Sequence, residues 1–482
     1  MKREHKIILV LFLLALIIRF IFLFCTPIKI WDETVYANLG YDLSSNPFHY
    51  SLEGASWSDF IPSKGNPPYA WPNMGFRAPL LPYTLMIFYL LKVDFLVMLF
   101  IPIIGALSVI LIYFLGKKLF NEKIGFYSAI FFMLIPLHIL NSSMVLTGVY
   151  STLFILLIFI SFWKGYEEGN KKHKVLFGIF FALALLARYT ILWIMPIFLI
   201  YFLIRNKSLK FLKDKYLWYS ILGFFIVLIP WFIYGQFTYG NPLGAFIHGA
   251  NAASYWGGIQ SALFYFRYWW AMFSIIGFLF ILSLGYILYK KEFIKKEIYL
   301  LLIWFVFFLA LAMYLPHKEE RFILPIVPVI CLISGFFIYK IKKYKKLILF
   351  SLITILILSN TWQFYSYYKE SNTGTNQCFL EANNYLREID QGVLVISDES
   401  AVAYYYTKQQ IRFYSNPWSL EALRKSIKDT NDENRTYIFF TDYDMPLYDE
   451  EHIKIKEDLD KNFEKVFECD KDWGLSVIYK YN

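Results

Sequence analysis

Residues 301–340 read LLIWFVFFLALAMYLPHKEERFILPIVPVICLISGFFIYK. Two apolar runs, each long enough to cross ~30 Å of hydrocarbon as a helix, meet at five ionisable residues, His317-Lys318-Glu319-Glu320-Arg321. Charge at the end of a membrane span is a functional-site hypothesis by default. Working outward, similar runs lie near 6–26, 95–116, 124–140, 147–163, 174–188, 190–204, 217–236, 269–289, 298–316, 322–340 and 346–362. The chain is 58% hydrophobic, 21% aromatic and only 17% charged, which excludes an ordinary soluble globular protein. It reads as a polytopic membrane protein, all-α in its membrane part. The first run is too long for a cleaved signal peptide, and no small-residue cleavage site follows it.

Orientation follows from Lys and Arg. With the N-terminus cytoplasmic, the basic loops around Lys117, Lys171, Arg205, Lys290 and Lys343 all fall inside, provided that there are 11 spans. The apolar stretch Ala78 to Leu91 must then lie along the outer surface, and about 14 residues suit that better than a crossing. The odd count puts the C-terminus outside. Beyond Trp362 the composition changes: residues 363–482 hold 14 Lys and Arg against 22 Asp and Glu, a net of −8, which leaves +18 for the rest of a chain whose total is +10. The expected organisation is a membrane domain over 1–362, with an outer catalytic loop over 27–94, and an extracytoplasmic α/β domain over 363–482. Strand-like runs Val393 to Ile396, Tyr437 to Phe440 and Leu475 to Tyr479 alternate there with helical stretches Glu381 to Ile389 and Leu420 to Ile427. The basic excess belongs to loops over anionic lipid, so no nucleic-acid partner is implied. Cys25 and Cys331 read as packing residues. Cys378 and Cys469 lie in the outer domain, where a mutual disulfide and free thiols are both open. No Cys/His zinc pattern, phosphate-binding Gly loop or internal repeat is present.

Asp32 and Glu33 open the outer loop in the run Ile30-Trp31-Asp32-Glu33-Thr34-Val35-Tyr36. Two readings stand: acids that complement a helix dipole, or a general base whose proton affinity is raised near low dielectric. Basic residues at the outer face run against the positive-inside bias, which marks His317, Lys318, Arg321 and Arg188 as anion-binding candidates beside the alternative of snorkelling anchors. Glu319 and Glu320 read as partners that orient Lys318 and Arg321. Arg19, deeper in the first span, either snorkels outward or braces the loop through a carboxylate. Tyr36, His248, Tyr255 and Trp256 offer faces for a sugar or an acceptor, or interfacial anchors.

These residues resemble the GT-C glycosyltransferases, in particular the dolichyl-phosphate-mannose protein mannosyltransferase and aminoarabinose transferase superfamily. The resemblance covers about residues 1–362. It rests on the Asp-Glu pair after the first span, on Arg77-Ala78-Pro79-Leu80-Leu81-Pro82-Tyr83, and on the late His-Lys-Glu-Glu-Arg-Phe with Leu324-Pro325 and Pro328. It implies inverting transfer of a single sugar from a polyprenyl-phosphate donor to a protein, lipid or glycan acceptor on the outer face. Asp32 is then the catalytic carboxylate, with Glu33 beside it. Arg77, Arg188, His317, Lys318 and Arg321 would meet the negative charge that grows on the departing phosphate. Ala78 stands where the family has a proline. Val145-Leu146-Thr147-Gly148-Val149 lacks the acid that many relatives carry after a Leu-Thr pair. No cofactor is required, and a divalent metal is neither implied nor excluded. The alternative from another class is a flippase or exporter of a lipid-linked sugar, which would carry polar groups through the depth of several helices. A membrane-anchored binding protein would leave the Asp32 and Arg321 clusters without a role.

Overall fold

The computed structural model describes residues 3–24, 30–52, 54–57, 74–206, 212–255, 260–389, 393–397, 399–413, 420–428, 436–443, 450–471 and 474–481. The chain folds into two compact units. One comprises Met1–Phe24, Gly75–Leu81 and Phe95–Phe364; the other comprises Cys25–Met74, Pro82–Asp94 and Tyr365–Asn482. The units do not follow a linear cut at Trp362: most of the 27–94 segment is gathered with the C-terminal region.

The first unit is helical. Among the described residues eight helices are long and apolar enough to cross a membrane: Arg3–Phe24, Phe95–Leu119, Thr147–Glu167, Lys215–Tyr239, Trp269–Tyr289, Lys296–Tyr314, Glu320–Lys340 and Lys345–Lys369. A ninth is the bent pair Glu122–Leu134 and Pro136–Ser142. The other two expected spans are helical but shorter, Lys171–Ala187 and Tyr189–Arg205, and they part at Arg188. The Leu80–Leu90 helix has 11 residues, ~16 Å of rise and too short to cross.

The 60° bend has a local cause. Pro136 has no N–H to continue the helix, and the Leu134 carbonyl at the break accepts from Asn360 Nδ2 at 2.8 Å. Aromatic stacking fills the interior, with Phe159 and Trp304 3.6 Å apart between ring centres. Glu167 ties two helices to its own, accepting from Tyr201 (2.9 Å) and Arg205 (2.8 Å) of Met195–Asn206 and from Lys296 (2.7 Å) of Lys296–Tyr314. Small residues let backbones touch. A Cβ added to Gly178 would lie 2.0 Å from the Ser220 carbonyl oxygen of the Lys215–Tyr239 helix. Gly178→Val is therefore expected to destabilise the unit by ~1–3 kcal/mol. Thermal unfolding in detergent, followed by tryptophan fluorescence, checks this, and an unchanged midpoint would contradict it.

The second unit is α/β. Its sheet has the order β1 (Ala55–Trp57), β3 (Gln410–Phe413), β2 (Leu394–Ser397), β4 (Thr436–Thr441), β6 (Gly474–Lys480) and β5 (Glu464–Lys471). The first four are parallel, and β6 is antiparallel to both of its neighbours. The three expected strand runs correspond to β2, β4 and β6. The sequence reading missed β3, β5 and the helices Ser400–Thr407 and Glu450–Asn462, and it left β1 inside a loop. The Gly374–Glu388 helix buries Phe379, Ala382 and Leu386 against Val395, Phe439 and Ile478. Cys378 and Cys469 form a disulfide that ties this helix to β5. Helix Trp31–Ser45, from the segment expected to be a loop, packs Trp31 and Tyr41 on the same core.

Candidate functional site

In the first unit the site grows from a break in the helix pattern. Arg188 follows the Lys171–Ala187 helix in extended conformation, its N–H still donating to Ala184 at 2.9 Å. The next residue, Tyr189, anchors the 75–77 segment. Its hydroxyl donates to the Gly75 carbonyl at 2.9 Å, lies 3.4 Å from that of Arg77, and accepts from Trp231 Nε1 at 2.8 Å. Gly75 must be small, because a Cβ there would fall 2.5 Å from the Tyr239 hydroxyl. Arg77 lies over the ring of Phe76, 5.4 Å from its centre.

Arg188 and Arg321 share one aromatic ring. Their guanidinium carbons lie 5.1 and 6.0 Å from the centre of Phe322. Arg321 Nε donates to Glu319, which also pairs with His317 Nε2 at 3.0 Å. Gly148, at the position without the expected acid, leaves room here: a Cβ would be 3.7 Å from Arg188 Nη1 and 2.6 Å from Leu324 Cδ1. Arg188, Arg321 and His317 thus form one basic and aromatic neighbourhood around Phe322, and the backbone of Arg77 is linked to it through Tyr189, the neighbour of Arg188. The neighbourhood stands at the ends of Thr147–Glu167 and Glu320–Lys340, the two most enclosed helices of the unit.

Lys318 behaves differently from the sequence expectation. It is buried, and its Nζ donates to the carbonyls of Leu315 (2.5 Å) and Gln260 (3.1 Å), while its backbone N–H donates to Gln260 Oε1. The ammonium fastens the 315–321 turn to residue 260. Glu320 is half-buried and opens the turn that carries Arg321.

Arg19 corrects both sequence alternatives. It does not snorkel outward, and among the described residues it meets no carboxylate: fully buried, it reaches His138 Nδ1 (2.8 Å), Ser142 Oγ (3.2 Å) and the Ala15 carbonyl (2.9 Å). Gly105 makes this room, since a Cβ there would lie 2.6 Å from Arg19 Nε. The arginine braces the bent pair at Pro136–Ser142.

The His248 ring lies tilted against Tyr239, ring centres 4.5 Å apart, and burial holds its imidazole below the usual range, which favours the neutral form. The side chain of Tyr255 and all of Trp256 lie outside the described residues, as does Cys25. The sequence reading missed Tyr265. It is fully buried, its hydroxyl has no hydrogen-bond partner among the described residues, and it senses both Arg188 and Glu319. Burial raises its pKa, so the phenol keeps its proton. A tyrosine in an aromatic-rich loop gives no sequence signal of this kind.

The acids belong to the second unit. Trp31–Ser45 begins with both of them in its first turn, where carboxylates are favoured by the helix dipole. Glu33 is buried, and its Oε2 accepts from the Ile30 N–H at 3.2 Å, closing the helix start. Asp32 is only half-buried. Tyr36 is buried within the helix. Glu33 thus closes the helix start, while Asp32 stands half-buried in the same first turn. Among the described residues no three His, Cys, Asp or Glu side chains come together in a way that could hold a metal ion.

A unit of membrane-length apolar helices and a small α/β unit are the architecture of the membrane glycosyltransferases of the GT-C class. The chain belongs to the Alg9-like mannosyltransferase family, whose model matches residues 8–374. No curated protein matches it in sequence. In fold it is similar to ArnT from Cupriavidus metallidurans bound to undecaprenyl phosphate, with a TM-score of 0.72 at 10% identity over 98% of this chain and 97% of that one. It is also similar to the archaeal oligosaccharyltransferase AglB from Archaeoglobus fulgidus in complex with an inhibitory peptide and a dolichol-phosphate. There the TM-score is 0.58 at 13% identity, over 100% of this chain and 75% of that one.

Proposed function

We propose that this glycosyltransferase moves one sugar from a polyprenyl-phosphate donor to an acceptor on the outer face of the membrane, with inversion. The observation that carries the reading is the sharing of Phe322 by Arg188 and Arg321, with Arg77 held nearby through Tyr189. Two guanidinium groups over one ring suit a phosphodiester that gains charge as the sugar leaves. The lipid phosphates bound by ArnT and AglB support a donor of this class.

In the proposed step Asp32 accepts the proton of the acceptor hydroxyl or amine as that atom attacks the anomeric carbon. The bond from that carbon to the phosphate oxygen breaks, and its electron pair stays on the phosphate, which Arg77, Arg188 and Arg321 stabilise. One displacement inverts the centre. The leaving phosphate is a weak base, so no general acid is needed. Glu33 supports the turn. The acceptor is a protein, lipid or glycan.

The test is direct. Membranes holding the full chain are given dolichyl-phosphate mannose and undecaprenyl-phosphate sugars, and release of polyprenyl phosphate is measured with the anomeric configuration of the product. Turnover of one such donor with inversion is expected; consumption of none of them would overturn the reading.

The topology has its own expected result. Single cysteines are introduced into protein that keeps the Cys378–Cys469 disulfide but lacks Cys25 and Cys331. Those near Trp57, His317 and Ser397 should label from outside, and those near Lys118, Lys207 and Lys343 only from within. A cytoplasmic Ser397 would remove the outer-face reaction.

A further inference from the structure

In the second unit the helix that carries Asp32 is joined to the Ser400–Thr407 helix by a ladder of contacts. Asn38 Nδ2 donates to the Ala401 carbonyl at 2.7 Å, and Asn38 Oδ1 accepts from Lys408 Nζ at 3.3 Å. One turn further on, the Tyr404 hydroxyl donates to Asp42 Oδ1 at 2.6 Å. Lys408 Nζ stands over four rings: 4.4 Å from the centre of Tyr41, 5.1 Å from Tyr405, 5.5 Å from Tyr404 and 5.9 Å from Tyr89. These rings come from three helices, Trp31–Ser45, Leu80–Leu90 and Ser400–Thr407.

Lys408 occupies a position that local physics would assign to another residue. It caps its helix in the left-handed conformation, φ 55°, where glycine or asparagine is usual. Its ammonium is also withdrawn from water, and burial lowers it to about 8, although Asp42 and Asp94 pull it upward. A residue that breaks two local rules at once marks a place where tertiary function has overridden preference. Here the ammonium touches residues 38 and 41 of the Trp31–Ser45 helix, while its neighbour Tyr404 holds residue 42. Together they fix the helix against rotation and sliding. A carboxylate displaced by about 1 Å or by 10–20° loses much of its catalytic effect.

We infer that Lys408 and its tyrosine cage are a positioning device, through which the C-terminal region holds the Asp32 helix in its reactive orientation. This rests on the reading of Asp32 as the base. The C-terminal region is then part of the catalytic apparatus.

The test uses the full chain in membranes at pH 6.5, where Lys408 is charged, with dolichyl-phosphate mannose as the probe. Lys408→Met is expected to lower kcat tenfold or more with KM for the probe within twofold, and Lys408→Arg to stay within threefold of the parent. Tyr404→Phe, which keeps the ring but loses the bond to Asp42, should fall between them. In an Asp32→Asn background Lys408→Met should add nothing, because the group it positions is gone. Hydrogen exchange gives a readout free of turnover: amides of 33–42 should lose protection in Lys408→Met while β2 and β4 keep theirs. A parental rate in Lys408→Met, an equal further loss on the Asp32→Asn background, or loss of protection throughout the sheet would each overturn the inference. Near-parental turnover in Asp32→Asn alone would instead remove the base reading beneath it.

Discussion

Asp32→Asn is expected to lower transfer by 10²–10⁴-fold while the protein still inserts, binds donor lipid and forms its Cys378–Cys469 disulfide. The substitution keeps size and hydrogen bonding but removes the proton acceptor. Because the lost interaction belongs to the transition state, kcat should fall and KM for the donor should hold. Glu33→Gln should cost less in rate, since the Glu33 carboxylate is engaged by the Ile30 N–H and an amide oxygen can still accept that bond. The measurement is single-turnover transfer with donor binding followed separately. Turnover of Asp32→Asn within about threefold of the parent would end its role as base. A larger loss in Glu33→Gln than in Asp32→Asn would exchange the two roles.

Arg321→Ala and Arg188→Ala are each expected to weaken transition-state stabilisation by ~1.5–3 kcal/mol, a loss of roughly 10–150-fold in kcat/KM. Arg321→Lys should recover little, because an ammonium cannot offer two parallel N–H groups to a phosphate. The two arginines share Phe322, so they should not be independent. The double alanine variant should lose less than the product of the single losses, as happens when neighbours share a partner. If both alanine variants bind the lipid phosphate and transfer sugar like the parent, these arginines are anchors at helix ends. The phosphate site must then be sought elsewhere.

The reading of a membrane enzyme came from features that neighbouring residues encode. Apolar run length sets whether a helix can cross hydrocarbon, and all eleven expected runs are helical. The break between two of them falls at Arg188, where the apolar pattern is interrupted. Short apolar runs rich in β-branched and aromatic residues exposed β2, β4 and β6, because strands covered on both faces read as near-continuous apolar stretches. The candidate cations Arg188, His317, Lys318 and Arg321 were legible as basic residues at helix ends on the side where the positive-inside bias does not favour them, whereas Arg77 was marked only by the family resemblance.

Other features depended on residues far apart in the chain. A three-residue strand such as Ala55–Trp57 has no stability alone, and its partner is β3, Gln410–Phe413. Arg19 found His138, 119 residues away, instead of water or an acid, because Gly105 left space beside it. Lys318 and Arg321 are three residues apart and equally basic, yet one donates into backbone carbonyls and the other stacks toward Phe322. By itself the sequence determined the membrane class, the apolar helical runs and the presence of a small α/β unit. Only the tertiary structure decided which cation points where, that Glu33 closes a helix start, and that Lys408 reaches Asn38 and Tyr41 of the same helix. The direction of a long side chain is set by the cavity, ring or carbonyl that distant segments bring to its end, and local spacing carries no record of those.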